Sequence, residues 1–135
     1  MGPDRARTGT SGTTWRRTTA AYALVVLAPA VAWLAFVSWA DGKPSDHAHV
    51  AWFAGVAAAC VVAGAVARPR TGHVVGLCTV AVVSTVLTLF AWWSAEDETG
   101  LFMVGIVMAT PCVAVTAPAL LLAGRLVTTG QRTDS

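Results

Sequence analysis

The sequence predicts an all-α integral membrane protein, a four-transmembrane-helix bundle with up-down antiparallel topology. Three observations lead there. Only 12% of the 135 residues are charged and 56% are hydrophobic, whereas soluble domains carry about 25% charged residues. The charges leave four long gaps: Arg17 to Asp41, Asp46 to Arg68, Arg70 to Glu96, and Glu98 to Arg125. Each gap holds the roughly 20 apolar residues that cross about 30 Å of hydrocarbon at about 1.5 Å per residue. Finally, arginines and aromatic residues sort to opposite ends of those gaps.

Taken in order, residues 1–17 contain little to bury and predict a disordered tail. Span one covers about 18–40, with Pro29 near its middle. A proline there removes one backbone hydrogen bond, which membrane helices tolerate when neighbours cover the break. Ser38 and Ala40 would suit a signal-peptidase site. However, the apolar run exceeds the roughly 7–15 residues of a signal h-region, so a retained span is expected.

The loop from Asp41 to His49 is polar, and Ser45 or Asp46 can cap the next helix. Span two covers about 48–67. Every fourth residue along it is small: Ala51, Gly55, Ala59, Ala63 and Ala67. Such a stripe admits another helix to backbone distance, which is how helices associate in lipid, where apolar burial supplies no drive. Span two is therefore expected to be the most enclosed helix.

Arg68-Pro69-Arg70-Thr71-Gly72 reads as a tight basic turn. Span three covers about 73–95 and is rich in valine. Ala95 to Thr99 is acidic, and its carboxylates suit the positive end of the following helix. Span four covers about 100–124, with Pro111 and Pro118 seven residues apart on one face. The tail 125–135 is polar.

Alternate connections share a side, so the N-terminal tail, the 68–72 turn and the C-terminal tail group together. That group holds all eight arginines, against Lys43 alone on the other side. Positive charge is retained in the cytoplasm, which places both termini inside. Trp39, Trp52, Phe53, Phe90, Trp92, Trp93 and Phe102 then all fall at the outer level, the preferred depth of an aromatic belt. With the Ala-, Val- and Arg-rich composition of a high-GC genome, the expected location is a bacterial cytoplasmic membrane.

No Asp, Glu, Lys or Arg lies inside a span. Proton relays, voltage sensors and coupled transporters normally need such groups. Small multidrug transporters share this length and span count, but depend on a glutamate in span one that is missing here. Three single cysteines inside the spans (Cys60, Cys78, Cys112) indicate no disulfide framework, and no cofactor is expected.

Three chemical readings attach to particular residues. Asp46, His47 and His49 offer carboxylate and imidazole to Zn²⁺ or Cu²⁺, although a tight site needs three or four ligands. Glu96-Asp97-Glu98 is either a cation-collecting run or a solvated turn. The hydroxyls of Thr79, Ser84, Thr85, Thr88, Thr110 and Thr116 either line a hydrated path or bond helix carbonyls. The leading functional expectation is a non-enzymatic accessory or assembly subunit that packs against a membrane-protein partner or itself. The alternatives are a homo-oligomeric channel or facilitator for a small solute, and an outer-face metal-binding protein. The bilayer is the expected surrounding, and no nucleic-acid contact is indicated.

Overall fold

The computed structural model describes residues 10–39, 45–67 and 71–130. These form four α-helices: α1 (Thr10–Phe36), α2 (Asp46–Val66), α3 (Thr71–Glu96) and α4 (Phe102–Gly130), with no strand among the described residues. All four are long and apolar enough to cross a membrane.

Helix ends differ from the expected span ends. Residues 10–17, assigned to the tail by composition, continue α1. The Thr18 and Thr19 hydroxyls donate to the carbonyls of Thr14 and Trp15 at 3.2 and 3.0 Å, so this polar turn holds its own threonines. α1 stops at Phe36, short of residue 40, and α4 runs on to Gly130. The remaining tail and loop segments, 1–9, 40–44, 68–70 and 131–135, lie outside the described residues.

α2 opens on Ser45, in extended conformation, whose hydroxyl accepts from the Ala48 amide at 3.4 Å. α4 opens on a turn built by Asp97. Its Oδ1 accepts from the Thr99 amide and hydroxyl at 2.7 and 2.6 Å, and its Oδ2 accepts from the Phe102 amide. Gly100 supplies the positive φ of +75° that closes the turn.

α1 packs on α2, α2 on α4, α4 on α3, and α3 on α1. The helices thus form a ring in which α2 and α3 stand diagonally, despite the shortness of the 67–71 connection. Short connections ordinarily make sequential helices neighbours. Here glycine decides otherwise. A Cβ on Gly64 would overlap the Leu121 carbonyl, and one on Gly124 would overlap the Val61 carbonyl. α2 and α4 therefore touch backbone to backbone, and that contact takes the place beside α2.

The core has two layers. One gathers Ala21 and Val25 of α1, Cys60 and Ala63 of α2, Leu77 and Ala81 of α3, and Ala117 and Leu121 of α4. The other gathers Ala32 and Val37, Trp52, Leu89 and Trp92, with Ile106 and Ala109 packed against them. In the most apolar stretch of each helix, 22% of residues are buried in α1, α2 and α3 but only 11% in α4. By that measure α2 ties with α1 and α3, although it makes the most extensive contact with its neighbours, and α4 has the least buried stretch.

Two of the expected belt aromatics are core residues instead. Trp52 is fully buried and meets Trp92 edge to face at 6.0 Å. Trp39, Phe53 and Phe90 do face outward.

Pro29 is where three helices are tied together. Having no N–H, it cannot serve the Val25 carbonyl one turn earlier. The Ser84 hydroxyl of α3 donates to that carbonyl at 3.1 Å. From the other side, the Trp52 indole of α2 donates to the carbonyl of Pro29 itself at 2.9 Å. The break in α1 is thus closed by its two neighbours, and Pro29 is fully buried.

Candidate functional site

The predicted metal ligands all fall in the first turn of α2. Asp46 and His47 are exposed. His49 is half-buried: its Nδ1 lies 3.1 Å from the Ser45 carbonyl, and its ring stacks on Trp92 with centroids 5.0 Å apart. The Trp92 indole in turn donates to Glu96 Oε1 at 2.7 Å. His49 is therefore held in an aromatic stack rather than turned toward His47. Among the described residues, no group of three or more His, Cys, Asp and Glu side chains comes together as a metal cradle.

Within the acidic run, Asp97 is occupied by the turn. Bonds from the Thr99 hydroxyl first, then from the Thr99, Phe102 and Gly100 amides, stabilise its charged form. They hold its pKa below the ordinary carboxylate value. Glu98 is exposed, and Glu96 holds Trp92.

The small-residue stripe divides between neighbours. Gly55 faces α1, where an added Cβ would sit 3.5 Å from Ala32 Cβ, an ordinary contact. Ala63 and Ala67 enter the first core layer, while Ala51 and Ala59 are half-buried. The tightest helix contact uses Gly64 and Gly124, neither of them on the stripe. The sequence signal for it is a second i, i+4 set on α2, Cys60 and Gly64, one position round from the stripe.

The six hydroxyls separate into two kinds. Thr79 donates to Val75, Thr88 to Ser84 and Thr110 to Ile106, each to the carbonyl one turn back at 3.0, 2.9 and 2.7 Å. Ser84 divides itself between Val25 and, at 3.2 Å, Ala81. Thr85 and Thr116 bond no described group. Both line a cavity of about 230 Å³ shared by Val56 and Ala57 of α2 and Cys112 and Leu120 of α4. Thr85, only 5% exposed, is at its back, whereas Thr116 and Cys112 are exposed at its mouth. Hydrocarbon forms nearly the whole wall.

No protein family, curated protein or solved structure matches the chain.

The two prolines of α4 are treated differently from Pro29. Pro111 and Pro118 give no N–H to the carbonyls of Val107 and Ala114, four residues back. No described side chain donates to either. Val107 and Ala114 both lie on the exposed surface, beside Met103, Met108 and Val115.

Proposed function

We propose that the chain is a non-enzymatic, multi-pass protein of a bacterial cytoplasmic membrane that acts as an accessory or assembly subunit. It engages its partner through the outward face of α4. The spans alternate in direction, a reading supported by the core layers, which set the middle of α1 and the first half of α3 beside the later halves of α2 and α4, and the ends of α1 and α3 beside the starts of α2 and α4. Both termini lie in the cytoplasm, because the arginines concentrate at those ends while five of the seven acidic residues lie at the other.

The observation carrying the partner reading is the contrast between prolines. In hydrocarbon an unserved carbonyl costs several kcal/mol. α1 meets that demand within the chain, through Ser84. α4 carries two carbonyls that have lost their helical donor on exposed residues, and its most apolar stretch buries half the share that the other helices bury. A helix bearing hydroxyl or amide donors, laid along α4, would satisfy them. The flexible thioethers of Met103 and Met108 would adapt to its surface.

The experiment is a mild-detergent pull-down with crosslinking. In a background lacking native cysteines, Val107→Cys and Val115→Cys on α4 are compared with Leu27→Cys on α1. A discrete adduct from the α4 positions alone is expected, its mass distinguishing a second copy from another protein. A monomer without adduct at every position refutes the reading.

A further inference from the structure

The cavity between α2 and α4 holds a donor with nothing to serve. A threonine inside a helix normally donates to the carbonyl one turn back, as Thr79, Thr88 and Thr110 do. For Thr85 that carbonyl belongs to Ala81. That carbonyl takes the Ser84 hydroxyl at 3.2 Å, and although one helix carbonyl can take two hydroxyls, as that of Arg125 does from Thr128 and Thr129, Thr85 makes no such bond. Thr85, 5% exposed, is left with its hydroxyl unpaired against the cavity.

Water is a poor fit to most of this space, since a buried water needs two to four polar partners and the wall is nearly all hydrocarbon. The walls supply Thr85 and, at the mouth, Thr116. The space suits a hydrocarbon body: a cavity of about 150 Å³ takes benzene, and this one measures about 230 Å³. Its mouth lies among exposed residues of α2 and α4, Phe53 and Cys112, where lipid would lie. A ligand carbonyl supplies an acceptor for the Thr85 hydrogen and nothing else to satisfy, whereas a ligand hydroxyl that accepts from Thr85 has its own hydrogen to place, with only Thr116 Oγ1 at the mouth to take it.

We infer that this cavity binds a membrane-dissolved aryl carbonyl compound of no more than two rings. Its hydrocarbon body lies between α2 and α4, and its carbonyl oxygen accepts from Thr85 Oγ1. The inference rests on the membrane reading above.

The test uses benzophenone, an aryl ketone that is also a photocrosslinker, on the full chain in liposomes. Saturable labelling confined to cavity-lining stretches of α2 and α4 is expected. Thr85→Val, which keeps the shape and loses the donor, should raise the half-saturating concentration roughly tenfold, while Thr85→Ser should restore it. Ala57→Phe, which fills the space, should abolish saturable labelling. Diphenylmethane, with the carbonyl replaced by CH₂, should compete no better against wild type than against Thr85→Val. Diffuse, non-saturable labelling of all four helices overturns the site, as does unchanged affinity in a folded Thr85→Val. Carbonate extraction separates the two levels. A chain released into the aqueous supernatant refutes the membrane reading, while one retained there but labelled diffusely refutes only the cavity.

Discussion

Removing the Ser84 hydroxyl should destabilise the protein only because residue 29 is a proline. In the native chain, Ser84 Oγ is 3.1 Å from the Val25 carbonyl, and that carbonyl has lost its helical donor to Pro29. Side-chain hydrogen bonds between membrane helices average about 0.6 kcal/mol and reach about 1.7. Leaving a buried acceptor unserved costs about 1–3 kcal/mol. Ser84→Ala should therefore cost about 1–1.5 kcal/mol, above the membrane average. In a Pro29→Ala background, the backbone N–H restored at that position can serve Val25. The same Ser84→Ala change should then cost less than about 0.5 kcal/mol, because the second contact, to Ala81, involves a carbonyl that the helix already serves. Pro29→Ala itself loses buried ring packing, a cost that the double-mutant cycle subtracts. The assay is reversible unfolding of the four proteins in one detergent, followed by tryptophan fluorescence. A coupling near ~1 kcal/mol supports the tie. Equal costs in the two backgrounds, within the roughly 0.3–0.5 kcal/mol of ordinary additivity, refute it.

Two glycines on α2 should respond in opposite ways to alanine. Gly64→Ala drives a methyl into the Leu121 carbonyl and should cost at least the ~1–3 kcal/mol typical of overpacking, whereas Gly55→Ala meets Ala32 at 3.5 Å and should be neutral or gain up to ~1 kcal/mol of helix propensity. Thermal melts of both variants decide. The start of α4 should loosen in acid. The folded-state pKa of Asp97 is lowered, so its contribution is present above the unfolded value of about 3.9 and is lost as pH falls through the folded value. Amide exchange at Phe102 should accelerate below about pH 4, and Asp97→Asn should remove that dependence. For topology, a membrane-impermeant thiol reagent on intact cells should label Glu98→Cys and spare Gly12→Cys in a cysteine-free background. Labelling of Gly12→Cys would invert the proposed orientation.

The four helices could be read from the sequence because their signal is one-dimensional: charge-free runs of the right length, punctuated by polar turns. Ser45 as a cap and Pro29 as a break needing cover were readable for the same reason, since each depends on residues close in the chain. What the sequence withheld was the partner across space. The Cys60–Gly64 pair is the one local mark of Gly64, and nothing in it says that Gly64 meets a backbone while Gly55, on the longer stripe, meets a methyl. The hydroxyls of Ser84 and Thr85 looked equivalent until α1 supplied the Val25 carbonyl to one of them. Likewise, Trp52 sits at a belt position by count but turns inward to reach Pro29. Composition also put residues 10–17 in the tail, because threonine back-bonding does not register as hydropathy.

The prolines connect fold to function. A buried proline in α1 looks costly taken alone, yet Ser84 and Trp52 turn it into the point where α1, α2 and α3 are fixed to one another. Three helices are thereby tied through polar side-chain contacts. α4 joins that group through the Gly64–Gly124 backbone approach and its share of both core layers. Its own two prolines gain no such closure, and both freed carbonyls lie among exposed residues. If every proline in this chain were simply tolerated by the bilayer, the cover over Pro29 would be superfluous and Ser84→Ala would be silent. If the cover matters, the same accounting applied to Val107 and Ala114, which no described side chain serves, supports the proposed donor from a partner helix. The double-mutant cycle at Pro29 therefore bears on the proposed partner as well as on the fold: a coupling near zero there would remove the ground for expecting a donor along α4.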